Sequence, residues 1–243
     1  KVENLVRNYK MVYSDRQDEE EINFKRAGFT IEEQEFVGIM GKSGCGKTTL
    51  LNAWLDRQTD FREDFLYGKD ASELWSDELA DIRRREIGFV FQDFYLLNIV
   101  CKGEHHAADG VGQGNVDKCY KNVEAYAENF GLSHLLEKQP YEVSGGEKQR
   151  VAICRALINN PDLILADEPT ETSIPSPEDR IDALKDINEH MGKTIIMVTH
   201  DPQMASYCSR LILLKDGVIL EDLKNSGDQE GFYQEILEKM KEL

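Results

Sequence analysis

The stretch Gly41-Lys42-Ser43-Gly44-Cys45-Gly46-Lys47-Thr48 reads G-x-x-x-x-G-K-T. It follows the apolar run Phe36 to Met40 and precedes the helix-like segment 49–55, so the sequence predicts a phosphate-binding loop between a strand and a helix. Glycines let successive backbone N–H groups turn toward phosphate oxygens, and the N-terminus of the following helix offers further unpaired donors. The stretch therefore predicts a site for a nucleoside triphosphate.

Individual side chains of this loop have predicted roles of their own. Lys47 is expected to neutralise the β- and γ-phosphates, and the hydroxyl of Thr48 is expected to bind Mg²⁺, which takes oxygen ligands. Upstream, Tyr9 is a candidate for stacking on the base because stacking needs only an aromatic face, with Tyr13 as its rival. The predicted contacts in the loop are Gly41, Ser43, Gly44, Cys45, Gly46, Lys47, Thr48 and Thr49.

The composition excludes several classes of protein. A length of 243 residues suits one large domain or two small lobes, and no apolar run approaches the length of a membrane span. The formal charge of −17 argues against nucleic-acid binding, which depends on clustered Lys and Arg. The 5 cysteines include no C-x-x-C pair, so neither a disulfide framework nor a zinc site is indicated. This use of cysteine fits a reducing compartment, so we expect a cytoplasmic protein.

Hydrophobic patterning predicts the elements on either side of the loop. Segments 2–13 and 22–29 read as a hairpin, 61–67 as a further strand, and 76–85 as a helix leading into a buried strand at 87–91. Gln92 ends that strand, and its amide can accept from a magnesium-bound water and donate to a phosphate. The glycine-rich stretch 96–115 reads as an exposed loop, followed by an amphipathic helix over 116–130 that Gly131 is placed to cap.

The second half of the chain contains three further polar groups at the ends of predicted elements. Ser144-Gly145-Gly146-Glu147 opens a helix and offers another anion-binding N-terminus. The strand 163–166 ends in Asp167 and Glu168, where one acid can hold magnesium through water and the other can polarise an attacking water. A predicted helix over 178–190 precedes the strand 194–199, which ends in His200, and strands at 211–214 and 218–220 follow it.

Taken in this order, the motifs resemble those of the ATP-binding-cassette (ABC) ATPases over nearly the whole chain. The resemblance implies an α/β fold, with a P-loop NTPase core of the ABC ATPase type, an antiparallel β subdomain and an inserted α-helical subdomain. We expect a single domain over 1–243, with the nucleotide-binding core at about 1–95 and 160–243 and the helical lobe at about 96–159.

The same resemblance implies roles for the site residues and for two cofactors, ATP and Mg²⁺. Glu168, His200 and Lys47 are the expected catalytic residues, and Thr48, Gln92 and Asp167 are the expected metal contacts. Ser144, Gly145 and Gly146 are expected to contact ATP held by the opposite subunit of an ATP-dependent homodimer.

Within the family, segment 87–93 and Asp216-Gly217 resemble the lipoprotein-release, macrolide-export and bacitracin-export ATPases and the cell-division ATPase FtsE. This predicts an ATPase subunit, peripheral at the inner face of the cell membrane, that powers a separate permease of the FtsX or MacB type. The alternative is an FtsE-like ATPase that regulates cell-wall hydrolases without transport. A soluble ABC protein of translation or chromosome maintenance lacks support, because neither a second cassette nor a long coiled-coil insertion is present, and a GTPase lacks an N-K-x-D motif.

Two segments depart from the family pattern. Where relatives place a short loop ending in Asp that contacts the opposite subunit, this chain has Glu171-Thr172-Ser173-Ile174-Pro175. Proline fixes φ and removes a donor, so we expect a stiff loop and slow hydrolysis by the isolated protein. The alternative is that a neighbouring residue such as Glu171 or Asp179 supplies the missing contact and the departure is neutral. The segment Asn98–Asn115 also departs from the subgroup pattern, at the place where a permease would be sensed.

Overall fold

The computed structural model describes residues 29, 31–47, 50–51, 65–66, 69–70, 76–91, 96, 116–169, 177–215 and 218–243. The predicted N-terminal hairpin, the glycine-rich stretch after Leu96 and most of the loop at 171–177 lie outside these residues. The chain divides into two compact units, residues 1–79 with 194–243, and residues 80–193.

The described elements, in chain order, form an alternating α/β pattern. They are β1 (Phe36–Gly41), β2 (Phe65–Leu66), β3 (Lys69–Asp70), α1 (Ser76–Arg85), β4 (Ile87–Val90), α2 (Val116–Asn129), α3 (Gly145–Leu157), β5 (Leu163–Asp167), α4 (Pro177–Met191), β6 (Thr194–Thr199), α5 (Pro202–Ala205), β7 (Arg210–Lys215), β8 (Val218–Lys224) and α6 (Gln229–Lys239). Short 3-10 turns lie at Ser133–Leu135, Pro140–Glu142 and Met240–Glu242.

Among the described residues of the first unit, four strands lie side by side in the order β6-β1-β7-β8. Strand β1 pairs in parallel with β6 and with β7, while β7 and β8 are antiparallel. Every residue of β1 and β6 is buried, as expected for inner parallel strands covered on both faces, which read as continuous apolar runs. The phosphate loop therefore leaves the sheet from one of its inner strands.

Helix α6 packs against residues of β1, β7 and β8. Helix α6 begins at the N-cap Asp228, whose carboxylate accepts the Gly231 N–H at 3.1 Å. Its two buried side chains are Phe232 and Ile236, one turn apart, which join a cluster with Met40, Ala205, Leu211, Leu213 and Leu223. This packing fixes the C-terminal part of the chain onto the strands beside β1.

The second unit contains the parallel pair β4-β5 and the helices α2, α3 and α4. Gly131 has φ +66° just after α2, so it provides the left-handed residue that the sequence predicts as the cap of that helix. A buried cluster of Ala127, Leu132, Leu135, Val143, Val151 and Cys154 connects α2, the following turns and α3. Val151 and Cys154 of α3 therefore pack against α2 and the turns that follow it.

The elements match the hydrophobic patterning closely, with three additions. Helix α1 and strands β1, β5 and β7 lie where the sequence predicts them. The sequence analysis did not predict β3, which pairs antiparallel with β2, or the helices α5 and α6. The predicted strand at 87–91 ends one residue earlier, at Val90.

Candidate active site

The phosphate loop turns where its glycines permit. Gly44 has φ +82° and Gly46 has φ +97°, a region that is open to glycine and costly for other residues. The Cys45 N–H donates to the Lys42 carbonyl at 3.2 Å, and the Leu50 N–H donates to the Gly46 carbonyl at 2.8 Å. The second bond is the first turn of the following helix, so the predicted order of strand, loop and helix is confirmed.

Lys47 lies folded into this loop. Its side chain is only 6% exposed, and Nζ donates to the carbonyls of Gly41 at 2.9 Å and Lys42 at 3.1 Å. An ammonium group has three donors, so these bonds leave one N–H for a phosphate oxygen. Burying a cation is costly unless an anion or hydrogen bonds compensate it, and the phosphates of a nucleotide supply that anion. The loop therefore fits a phosphate group.

His200 follows the strand next to the phosphate loop. In the parallel pairing of β1 with β6, Met40 lies opposite Thr199, so the loop and His200 leave the same edge of the sheet. His200 is exposed, and the next residue, Asp201, caps α5 by accepting the Gln203 N–H at 2.8 Å. Ligands of open α/β sheets bind at the carboxyl ends of the strands. The first unit thus places the predicted histidine and the phosphate loop at one edge.

In the second unit, two acids lie at the end of β5. Asp167 is the last residue of the strand and is 7% exposed, while Glu168 is partly exposed. Glu168 has φ +44°, an uncommon conformation for a residue other than glycine. A carboxylate at a strand end has the oxygen chemistry that Mg²⁺ prefers, so Asp167 fits a magnesium contact.

Ser144 opens helix α3 with a capping box. Its hydroxyl accepts the Glu147 N–H at 3.4 Å, and Glu147 Oε2 accepts the backbone N–H and the hydroxyl of Ser144, both at 2.7 Å. These bonds from Ser144 lower the pKa of the Glu147 carboxyl below its ordinary value, and His134, with Nε2 at 3.5 Å from Oε1, adds a smaller effect in the same direction. Ser144 is exposed, so the helix N-terminus is accessible to an anion.

Helix α3 also contacts the segment that follows the two acids. Gln149 is 3% exposed, and its Nε2 donates to the Pro169 carbonyl at 3.1 Å. The sequence analysis did not single out this residue. A signal was present, because Gln149 lies three residues after Gly146 and four before Ile153, on the buried face of α3. A polar residue on such a face needs a hydrogen-bond partner, and here the partner is a backbone carbonyl.

The structure thus describes most of the predicted site and leaves four residues out. Tyr9, Thr48, Thr49 and Gln92 lie outside the described residues. The others form two groups, one in each compact unit. The first contains the phosphate loop and His200, and the second contains Asp167, Glu168 and the segment Ser144-Gly145-Gly146. The roles of all these residues remain predictions.

Comparison with known proteins identifies the chain over most of its length. The family model described as ABC transporter matches residues 24–171. The ABC transporter ATP-binding protein YxdL of Bacillus subtilis is 40% identical over 218 residues, which cover 88% of this chain and 84% of YxdL. The bacitracin export ATP-binding protein BceA of Halalkalibacterium halodurans is 36% identical, and the match covers 93% of this chain and 90% of BceA. The macrolide export ATP-binding/permease protein MacB of Campylobacter jejuni is 39% identical, but this chain spans only 34% of MacB.

Solved structures agree with these relatives. A dimeric structure of MJ0796, a bacterial ABC transporter cassette, has a TM-score of 0.77 and 36% identity, covering 90% of this chain and 97% of MJ0796. A dimeric post-hydrolysis state of the same cassette, bound to ADP and Pi, has a TM-score of 0.77 and 35% identity. The predicted fold class, family and ATPase activity are confirmed. The chain belongs to the ABC transporter family and is one of its ATP-binding, ATP-hydrolysing cassettes.

Proposed function

We propose that this cassette powers a separate membrane permease in an export or lipoprotein/peptide-extrusion system. Support comes from the match along 90% of BceA, which is named for bacitracin export, and from the match to 34% of MacB, which is named for macrolide export. Within the described residues, no helix is long and apolar enough to cross a membrane. We place the protein in the cytoplasm, at the inner face of the membrane, against a permease of the FtsX or MacB type.

The observation that carries the nucleotide site is the buried ammonium group of Lys47, held by two carbonyls of the phosphate loop. We assign to Lys47 the neutralisation of the β- and γ-phosphates, and to the N–H groups of the loop the remaining phosphate oxygens. Mg²⁺ would be held by the Thr48 hydroxyl, the Gln92 amide oxygen and Asp167, and it would supply charge compensation on the phosphates.

For hydrolysis, we assign the general base to Glu168. The oxygen of water attacks the γ-phosphorus while the Glu168 carboxylate takes a proton from it, and the bond between the γ-phosphorus and the bridging oxygen breaks to release ADP. His200 lies at the strand end beside the phosphate loop, and we assign it a contact with the γ-phosphate. Ser144, Gly145 and Gly146 are assigned to the nucleotide held by a second copy, in an ATP-dependent homodimer.

One substitution tests the base and the dimer together. Glu168→Gln keeps the size of the side chain and removes the carboxylate, so turnover should fall about 10²- to 10⁴-fold, the usual contribution of a positioned base. Without hydrolysis, ATP with Mg²⁺ should hold the Glu168→Gln protein as a dimer in sedimentation velocity, whereas ADP should leave it monomeric. A protein that remains monomeric with ATP at every accessible concentration would contradict the dimer assignment.

The transport role needs a partner. Tagged Glu168→Gln protein, locked with ATP, is used to capture its partner from detergent-solubilised membranes, and the partner is then reconstituted with the parent cassette in liposomes. A polytopic membrane protein that stimulates ATP turnover and moves a fluorescent lipopeptide or peptide across the bilayer supports the proposal. The other outcome is a partner that stimulates ATP turnover, moves no cargo and activates a cell-wall hydrolase. That result would replace the transport role with the FtsE-like regulatory role.

A further inference from the structure

The residue after the two acids is tied to helix α3 by a buried amide. Gln149 is 3% exposed and its Nε2 donates to the Pro169 carbonyl at 3.1 Å, immediately after Glu168 in the chain. From this bond we infer that Gln149 is a positioning residue, which sets the place of the Glu168 carboxylate for hydrolysis. The inference rests on the proposed role of Glu168 as the general base.

The backbone at Glu168 requires such a constraint. Its φ of +44° lies in the left-handed region, where residues other than glycine are uncommon. The residue before a proline is restricted further, because the proline ring collides with its backbone and Cβ. Strained conformations of this kind persist only where surrounding contacts determine them, and they occur frequently at functional sites.

Helix α3 is a firm base for this constraint. Its N-terminus is closed by the reciprocal bonds of Ser144 and Glu147, and its buried face includes Val151 and Ile153, each 1% exposed. A side chain anchored on this helix has little freedom to move. Because the ring of Pro169 fixes its own φ, a bond that fixes the Pro169 carbonyl restricts the rotation available to the Glu168–Pro169 peptide.

The expected effect is on the chemical step rather than on nucleotide binding. A displacement of about 1 Å in a reacting group can cost about 10²-fold in rate. Gln149 belongs to the second unit and has no assigned contact with the phosphates, so its loss should leave the affinity for ATP intact. A residue that only completes the core would instead lower stability, with no selective loss of turnover.

The test compares Gln149→Met with the control Ile153→Val. Methionine has nearly the length of glutamine and no N–H, whereas Ile153→Val trims a buried side chain one turn further along α3 and touches no hydrogen bond. We expect kcat of Gln149→Met to fall by about 10- to 100-fold, with KM and the ATP dissociation constant within about twofold of the parent. Ile153→Val should retain kcat while showing a similar or larger drop in Tm.

A double variant separates positioning from a general structural defect. If Gln149 acts through the Glu168 carboxylate, then Gln149→Met should cost less than about threefold in the Glu168→Gln background, because the group that it positions is already gone. An equal loss of turnover in both backgrounds, or a fall in ATP affinity that matches the fall in kcat, would overturn the inference. If Gln149→Met keeps the parental kcat while Glu168→Gln is strongly impaired, the positioning role of Gln149 is refuted and the base assignment of Glu168 stands. Full turnover in Glu168→Gln would instead refute the base assignment on which it rests.

Discussion

Two glycines of the phosphate loop are required for different reasons, and substitution should reveal the difference. A Cβ added to Gly41 would lie 2.4 Å from the Leu214 carbonyl oxygen and 2.5 Å from Cys45 Sγ. A Cβ on Gly44 would meet nothing within 4 Å, but the residue has φ +82°. A side chain at Gly41 is therefore excluded by the lack of space between β1 and β7. A side chain at Gly44 is disfavoured by the backbone conformation of that residue.

The distances set the size of each effect. At Gly41 the new carbon falls 1.0 Å short of the 3.4 Å at which ordinary van der Waals contact begins, and the obstacle is backbone of the paired strand β7. Relieving it means moving a buried strand, so Gly41→Ala should cost toward the upper end of the roughly 1–3 kcal/mol seen for overpacking. Gly44→Ala should cost about 1–2 kcal/mol from the left-handed conformation alone.

Asparagine and a second-site change distinguish the two causes. Asparagine tolerates the left-handed region, so Gly44→Asn should be more stable than Gly44→Ala, whereas Gly41→Asn should be no better than Gly41→Ala. Adding Cys45→Ala to Gly41→Ala removes the sulfur contact but leaves the Leu214 carbonyl in place. We therefore expect only partial recovery of stability in that double variant.

The assay is urea unfolding followed by far-ultraviolet circular dichroism, without nucleotide, so that folding is separated from binding. Thermal melts give a second measurement. For a chain of this size, each kcal/mol of lost unfolding free energy lowers Tm by about 2–4 °C, which such melts resolve. Parental stability in Gly41→Ala would refute the argument. Complete rescue by Cys45→Ala would refute it also, because the sulfur rather than the strand backbone would then be the obstacle.

Three further perturbations probe individual charged side chains. Lys47→Ala should weaken ATP binding by about 10- to 100-fold in calorimetry, since it removes a charge-assisted bond worth about 1.5–3 kcal/mol; unchanged affinity would contradict its contact with phosphate. Because Ser144 lowers the pKa of Glu147 from 4.5, the stability from this cap is present above that value and is lost as the pH falls through the lower, folded pKa. The urea midpoint of the parent should therefore drop more than that of Glu147→Gln between pH 6 and pH 3.5, and equal drops would argue against the cap. Arg210→Met, which removes the 2.6 Å pair with Asp222 between β7 and β8, should destabilise the protein by about 1 kcal/mol at low salt, more than Asp222→Asn does.

The parts of the fold that the sequence predicts well are those with strong local patterns. The strand and loop around Lys47 combine a continuous apolar run with glycines at fixed spacing, and both signals are local. Helix α6 was missed because its buried face consists only of Phe232 and Ile236, too few for a clear helical period. Its packing depends on strands β7 and β8, which no local window contains.

The site shows the same limit. Asp167 and Glu168 were predicted as a strand end with two acids, but the positive φ of Glu168 has no local signature, since neither its side chain nor the proline that follows favours it. The partner of Gln149 could not be predicted either, because the Pro169 carbonyl lies 20 residues away. That hydrogen bond joins helix α3 to the residue after Glu168, and no short window of sequence contains both ends of it.

The inner position of β1 also determines when a newly made chain can become active. The Phe36 N–H donates a hydrogen bond to the hydroxyl of Ser209, 173 residues further along. Both strands beside β1 lie after residue 193. Because synthesis proceeds from the N-terminus, the phosphate loop is made well before the two strands that pair with β1. Until then β1 is an unpaired apolar strand, which is prone to aggregate. Nascent chains arrested before β6 emerges from the ribosome should therefore fail to bind nucleotide, whereas chains that expose β7 should bind it.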